Sequence, residues 1–323
     1  MFICYVQTLN LKMVLLLDKE KKIIAGLRGI IPSLHTPFCD QNNIDIPSLK
    51  KLIDHTVATE CSGMLVGAVA GENSSLTFDE KSRVIDECLI YNNNRIPIII
   101  SCSANNQKDR IALSKAAKEA GANWILCQAP DNISGNELLE CFNEIAEVGP
   151  NNLMIQDLSW VDNGMSDENI MLLFKNIIKF RGLKIEVLNS GPKYSRILEA
   201  TNYQLHLSGG WAIMGMIEAL NRGVHAFIPS TMEIIYNKIY KLFIDNKIEE
   251  SRELFCQILP ILSFTHQHID IAIKFSKMLR VEEGIFETSM CRLPIKSFDI
   301  FQQKEAYLNL NKASILQNSL SLN

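Results

Sequence analysis

Two ionisable side chains stand where apolar ones are expected. In GLKIEVL, residues 182–188, Lys184 and Glu186 alternate with Leu183, Ile185 and Val187. A β-strand places residues i and i+2 on one face. The lysine and glutamate therefore project together, and the three aliphatic side chains project the other way. In a barrel strand, the aliphatic face suits an outer helix layer and the polar pair faces the interior. An amine held there can attack a ketone, and a carboxylate beside it can move protons during the attack. The same pair can equally be a buried ion pair that only fills the barrel.

Other reactive groups offer less. Lys193 follows Gly-Pro in SGPKYSRIL, which reads as a solvated loop lysine. The six histidines, His35, His55, His206, His225, His266 and His268, show no HExxH spacing, and the pair 266/268 lacks a third ligand nearby. No metal site is expected. The nine cysteines are Cys4, Cys39, Cys61, Cys88, Cys102, Cys127, Cys141, Cys256 and Cys291. No two of them form a CxxC. Their odd number and irregular spacing fit a reducing cytoplasm. No GxGxxG follows the first apolar run, which weakens a dinucleotide fold. Covalent imine chemistry, needing no metal or organic cofactor, is the economical expectation.

Eight β-branched runs could carry such a site: 29–38, 63–72, 96–104, 124–130, 153–159, 183–188, 203–210 and 225–231. Helical stretches separate them. Leu49, Leu52, Ile53 and Val57 recur at helical spacing. Thr77 with Glu80 forms a capping-box signature, and Gly121 stands where a helix C-cap belongs. Eight strand–helix units imply parallel strands, and their number favours a closed (β/α)8 TIM barrel over a doubly wound sheet. Reactive groups then sit at the C-terminal ends of the strands. Residues 232–282 give three helical stretches without strands, a C-terminal helical extension. The resulting division is an N-terminal extension 1–27, a barrel 28–232, a helical region 233–300 and a polar tail 301–323 that frays. Met13 is an alternative start within the extension. The apolar stripe Leu254, Ile258, Leu262, Ile269 and Ile273 needs covering, by the barrel or by another subunit.

Composition narrows the partners. At 323 residues, 47% apolar and 21% charged, the chain matches an ordinary globular protein. It carries 32 basic against 36 acidic residues, a net charge of −4. With no basic surplus to neutralise phosphates, nucleic acid is not an expected partner. No run of 18 apolar residues occurs, so no membrane span is expected. The N-terminus makes a poor signal peptide, which adds to the expectation of a cytoplasmic protein.

Several pieces, in order, resemble the dihydrodipicolinate synthase and N-acetylneuraminate lyase superfamily. They are IPSLHTPF with Thr36-Pro37, GAVAGENSSLTFDEKSRVI with Gly71-Glu72, KAAKEAGANWIL, LSGG and RGVHAFIPS. The resemblance runs from about residue 29 to about 300. It implies a (β/α)8 barrel with a helical C-terminal region, a homotetramer, and a Schiff-base lysine at Lys184. The synthase's strand-five tyrosine is replaced by Gln156, and its two threonines before Gly-Glu by Val69 and Ala70. The tyrosine pair expected after strand four is absent from CQAPDN. LKIEVLNSGPK, the Gln156-Asp157 pair, Ala70-Gly71-Glu72 and FTHQHIDIAIK are instead similar to the 2-keto-3-deoxy sugar acid dehydratase-like branch. Val187-Leu188-Asn189-Ser190 departs from that branch's proline-rich segment. There, a glutamate two residues after the lysine transfers protons, which falls on Glu186.

The expected activity is thus a class I lyase on a small 2-oxo acid, dehydrating a 2-keto-3-deoxy sugar acid. Ser33 and the backbone around Val69, Ala70 and Gly71 would hold the carboxylate. Gln156 would stand in for the tyrosine, and Ser208 and Gly209 would complete the substrate site. Aldol cleavage or synthesis of the pyruvate-dependent type uses the same imine and stays open. So does a catalytically weak member that only binds 2-oxo acids.

Overall fold

The computed structural model describes residues 27–292 and 294–321. The N-terminal extension, apart from Leu27, lies outside them, as do Cys4 and the question of Met13. Eight parallel strands follow one another around a ring: β1 Gly29–Ile30, β2 Met64–Val66, β3 Ile98–Ser101, β4 Trp124–Gln128, β5 Asn152–Leu158, β6 Phe180–Glu186, β7 His206–Gly209 and β8 Ala226–Phe227. β1 pairs with β8. The ring closes between β1 and β2 through Leu65 N–H to Pro32 O (2.9 Å) and Leu34 N–H to Leu65 O (2.8 Å). This is a TIM barrel.

The strands are shorter than the apolar runs that announce them, and prolines are one reason. Pro32 and Pro37 have no N–H to give a ladder, so the first run forms a strand only at Gly29–Ile30 and then isolated bridges at Ser33 and Phe38. Pro229 lies just beyond β8. Residues Val69–Gly71, expected late in strand two, form a 3-10 turn instead, followed by another at Asn73–Ser75.

Between the strands lie α1 Ile46–Ala58, α2 Phe78–Asn92, α3 Gln107–Glu119, α4 Gly135–Val148, α5 Asp167–Asn176, α6 Ser190–Ala200 and α7 Met216–Asn221. After β8 come α8 Glu233–Ile244, α9 Ile248–Thr265, α10 Ile269–Glu282 and α11 Ile300–Ser321. The Thr77–Glu80 capping box forms with both bonds present. Gly121 adopts φ +91 just past α3, where its N–H closes onto Lys118 O.

Strand parity sorts the core. Leu183, Ile185 and Leu207 face the helices, within the large cluster that includes Phe142, Ile170 and Ile197. Leu126, Met154, Ala226 and Ile228 fill the barrel interior. Above Met154 in the interior stands a polar layer in register: Gln156 beside Lys184, and Lys184 beside Ser208.

One expectation changes and one open alternative is decided. The stretch read as a fraying polar tail is helix α11, whose Ala306, Leu310 and Ala313 are buried against α8, α9 and α10. Its apolar residues are too scattered in sequence to show a stripe. Of the stripe in the helical extension, Leu254, Ile258, Leu262 and Ile273 are buried within one chain, and Ile269 is half-buried on the wall of the cavity described below. They therefore say nothing about a second subunit. No helix among the described residues is long and apolar enough to cross a membrane.

Candidate active site

The polar layer opens into a cavity at the C-terminal end of the barrel. Its floor is built by β5 and β6. Lys184 Nζ lies 2.9 Å from Glu186 Oε2. The Gln156 side-chain amide donates to the same carboxylate oxygen in a short contact. All three side chains are at least nine-tenths buried, yet all three line the cavity. Strand parity thus directs both members of the pair inward. Gly210, just past β7, passes so close that a methyl group there would overlap the Glu186 carboxylate and approach Lys184 Cε to 2.7 Å. Glycine at 210 is what lets the chain cross this pair.

The β1–β2 side supplies neutral donors. Ser33 Oγ is buried on the cavity wall with no hydrogen-bond partner among the described residues. A buried hydroxyl left unpaired calls for a ligand or a water. Ala68, Val69 and Ala70 continue this wall. The N–H groups of Gly71 and Glu72 are used within the 3-10 turn, on Ala68 O and Val69 O. The turn is held from behind. Thr36 Oγ1 donates to Gly71 O at 2.7 Å. Glu72, at φ +55, pairs with buried Lys277 and accepts from the Arg292 N–H at 2.8 Å. Glu72 therefore fixes the turn to α10 and the chain beyond it.

Three expected site residues do not reach the wall. Gly71 is turned toward Leu34 O and Thr36. Gly209 shares the outward parity of Ile185. Ser208 is inward but fully buried beneath the cavity, its Oγ 3.9 Å from Met154 Sδ.

The roof was not visible in the sequence. Trp160 lines the mouth from the loop after β5. That loop is held by Lys193, which is neither solvated nor in a loop: it lies in α6, 3% exposed. Its three ammonium protons are matched by Asp157 Oδ2 at 2.5 Å, Asn163 O at 2.7 Å and Met165 O at 2.7 Å. Asp157 Oδ1 also accepts from Met165 N–H at 2.8 Å. Burial pushes the Asp157 carboxyl above its ordinary range, while Lys193 pulls it down. Gly164, at φ +66, is where the loop crosses Asp157, and any side chain there would strike that carboxylate. Much of the remaining wall comes from residues 228–232 after β8 and from α8, α9 with its C-cap His266, and α10, and it includes Tyr236, Thr265 and Ser276. Burial lowers His266 to about 4, so it presents a neutral ring. These residues sit in ordinary amphipathic helices, and no spacing marks them as site residues.

The fold and the inward lysine–glutamate pair define a TIM-barrel enzyme of the class I aldolase and lyase type. The family model described as "Dihydrodipicolinate synthetase family" matches residues 26–313, and the chain belongs to that family. It is 26% identical over 295 residues to a 4-hydroxy-tetrahydrodipicolinate synthase from a Sulfurihydrogenibium species, covering 90% of this chain and 99% of that one. Among solved structures, dihydrodipicolinate synthase from Rhodopseudomonas palustris superposes with a TM-score of 0.82 at 19% identity, over 88% of this chain and 97% of its own. The sialic acid aldolase of Ruminococcus gnavus superposes with a TM-score of 0.83 at 16% identity, over 91% and 99%.

Proposed function

We propose that the protein is a Schiff-base lyase that dehydrates a 2-keto-3-deoxy sugar acid, with Lys184 as nucleophile and Glu186 as proton carrier. The observation that carries this is Lys184 Nζ at 2.9 Å from Glu186 Oε2, at the inner end of an open cavity. Lys184 Nζ adds to the C2 carbonyl, whose oxygen takes up a proton and leaves as water, giving an iminium ion. The iminium draws electrons from C3. Glu186 removes the C3 proton, and the electron pair forms an enamine. The enamine expels the C4 hydroxyl, which takes the proton back from Glu186 and departs as a second water. Hydrolysis of the remaining iminium releases product and restores the amine.

Ser33 Oγ and the first N–H groups of the Val69–Gly71 turn, which have no acceptor within the turn, receive the substrate carboxylate. Gln156 keeps the Glu186 carboxylate aimed at the reacting carbons. The same imine would support aldol cleavage or condensation. That second reading draws on the synthase and aldolase names of the relatives. We further infer a homotetramer acting in the cytoplasm. The eight free cysteines among the described residues favour a reducing compartment.

The two reactions separate by product. Incubation with a panel of 2-keto-3-deoxy acids should give water loss with the carbon chain intact. Release of pyruvate and an aldehyde instead would establish the aldolase.

A further inference from the structure

The cavity has a second wall that imine chemistry at Lys184 does not use. Tyr236, in the second turn of α8, lines it and is fully buried, and its hydroxyl has no hydrogen-bond partner among the described residues. Burial and the nearby Glu233 push that phenol above its ordinary range, so it keeps its proton. Around it the wall is apolar with scattered neutral polar groups. Leu262 and Phe275 supply the apolar part. Thr231 Oγ1 lies 3.4 Å from Ser276 Oγ, and Thr265 Oγ1 lies 3.0 Å from His266 Nδ1. Among the described residues Lys184 is the one lysine or arginine on the cavity wall, and it is already paired with Glu186.

A charged tail on the substrate would find no counter-ion here, and Glu186 would repel an anionic one. An unpaired buried phenol has the opposite preference. It leaves one donor and its acceptor sites waiting for a neutral polar group, and the cost of leaving them empty is recovered only when such a group arrives.

We propose that the wall formed by α8, α9 and α10 is a distal subsite for an uncharged, hydroxylated substrate tail, with Tyr236 Oη as its specificity-determining hydrogen-bonding group. This rests on the lyase reading, because the tail is placed by an imine at Lys184.

The test reads adduct formation rather than turnover. The full chain is incubated with borohydride and graded concentrations of pyruvate, 2-keto-3-deoxygluconate or its 6-phosphate. Total adduct on Lys184 is then measured by mass spectrometry. The unphosphorylated six-carbon acid, whose tail is uncharged, should half-saturate at least ~10-fold below its phosphate. Tyr236→Phe should raise the half-saturating concentration of the unphosphorylated acid about 10-fold, the effect of one lost hydrogen bond, and leave pyruvate unchanged. Since the hydroxyl removed is buried without a protein partner, its loss should not lower the unfolding midpoint and should raise it slightly. Ala272→Leu, which narrows the same wall, should exclude the six-carbon acids while pyruvate still reacts. Equal or tighter capture of the phosphate overturns the subsite, as does a Tyr236→Phe effect that is absent or the same for pyruvate. Failure of pyruvate itself to label Lys184 overturns the lyase reading beneath it.

Discussion

At the scale of single residues, the site depends on a lysine, a glutamate and a glycine that leaves them room. Glu186→Gln keeps the shape and the contact with Gln156 but removes the proton acceptor. Turnover should fall about 10²–10⁴-fold, the usual loss for a general acid–base group, while imine formation at Lys184 persists. Parallel turnover and trapping assays check this. Gly210→Ala acts by volume alone, since φ −106 at that position suits any residue. The added methyl meets the Glu186 carboxylate, so we expect a stability loss of about 1–3 kcal/mol from overpacking and loss of trapping. Urea unfolding and borohydride labelling measure the two effects.

At the scale of elements, the loop after β5 is the part of the site most dependent on one side chain. Lys193→Met leaves the Asp157 carboxylate buried without its cation and frees two loop carbonyls. Breaking a buried pair from one side costs about 3–5 kcal/mol. The double change Lys193→Met with Asp157→Leu should recover most of that, because it removes both charges; a double-mutant cycle in urea decides it. How much was legible in the sequence differs by element. β6 was readable because its alternation is unambiguous, and parity alone placed Lys184 and Glu186 inward. The capping box at Thr77 was readable because a cap is local. Lys193 was misread because Gly191-Pro192 marks a turn in most contexts. Here proline stands in the first turn of α6, where its missing N–H costs nothing. The wall around Tyr236 was invisible because three separate helices, each amphipathic in the ordinary way, meet there only after folding.

At the scale of the whole molecule, buried histidines set the response to acid. Burial is the leading cause in each case, lowering His206 and His225 to about 3 and His266 to about 4, and His35 well below its usual value. Arg280 and Lys277 add to the effect on His35. All four are depressed, so below about pH 6.5 the unfolded chain binds protons that the folded chain refuses. Stability is therefore full above that pH and falls as pH drops toward 4 and 3. The slope reaches up to about 1.4 kcal/mol per pH unit for each histidine. Urea midpoints should decline from pH 7 to pH 5, and a flat profile would contradict the burial of these rings. If the chain assembles as inferred, light scattering at micromolar concentration should give about four times the 36.4 kDa of one chain, and a single-chain mass would remove the tetramer.

The central claim is that Lys184 carries the reaction as a covalent nucleophile, and borohydride trapping with pyruvate tests it most directly. The wild-type protein should gain one pyruvate-derived mass per chain, on the peptide containing Lys184. Lys184→Ala and Lys184→Arg should gain none, since a methyl has no nucleophile and a guanidinium stays protonated. Label on Lys193, or no label from a protein that still binds 2-oxo acids, would contradict the account.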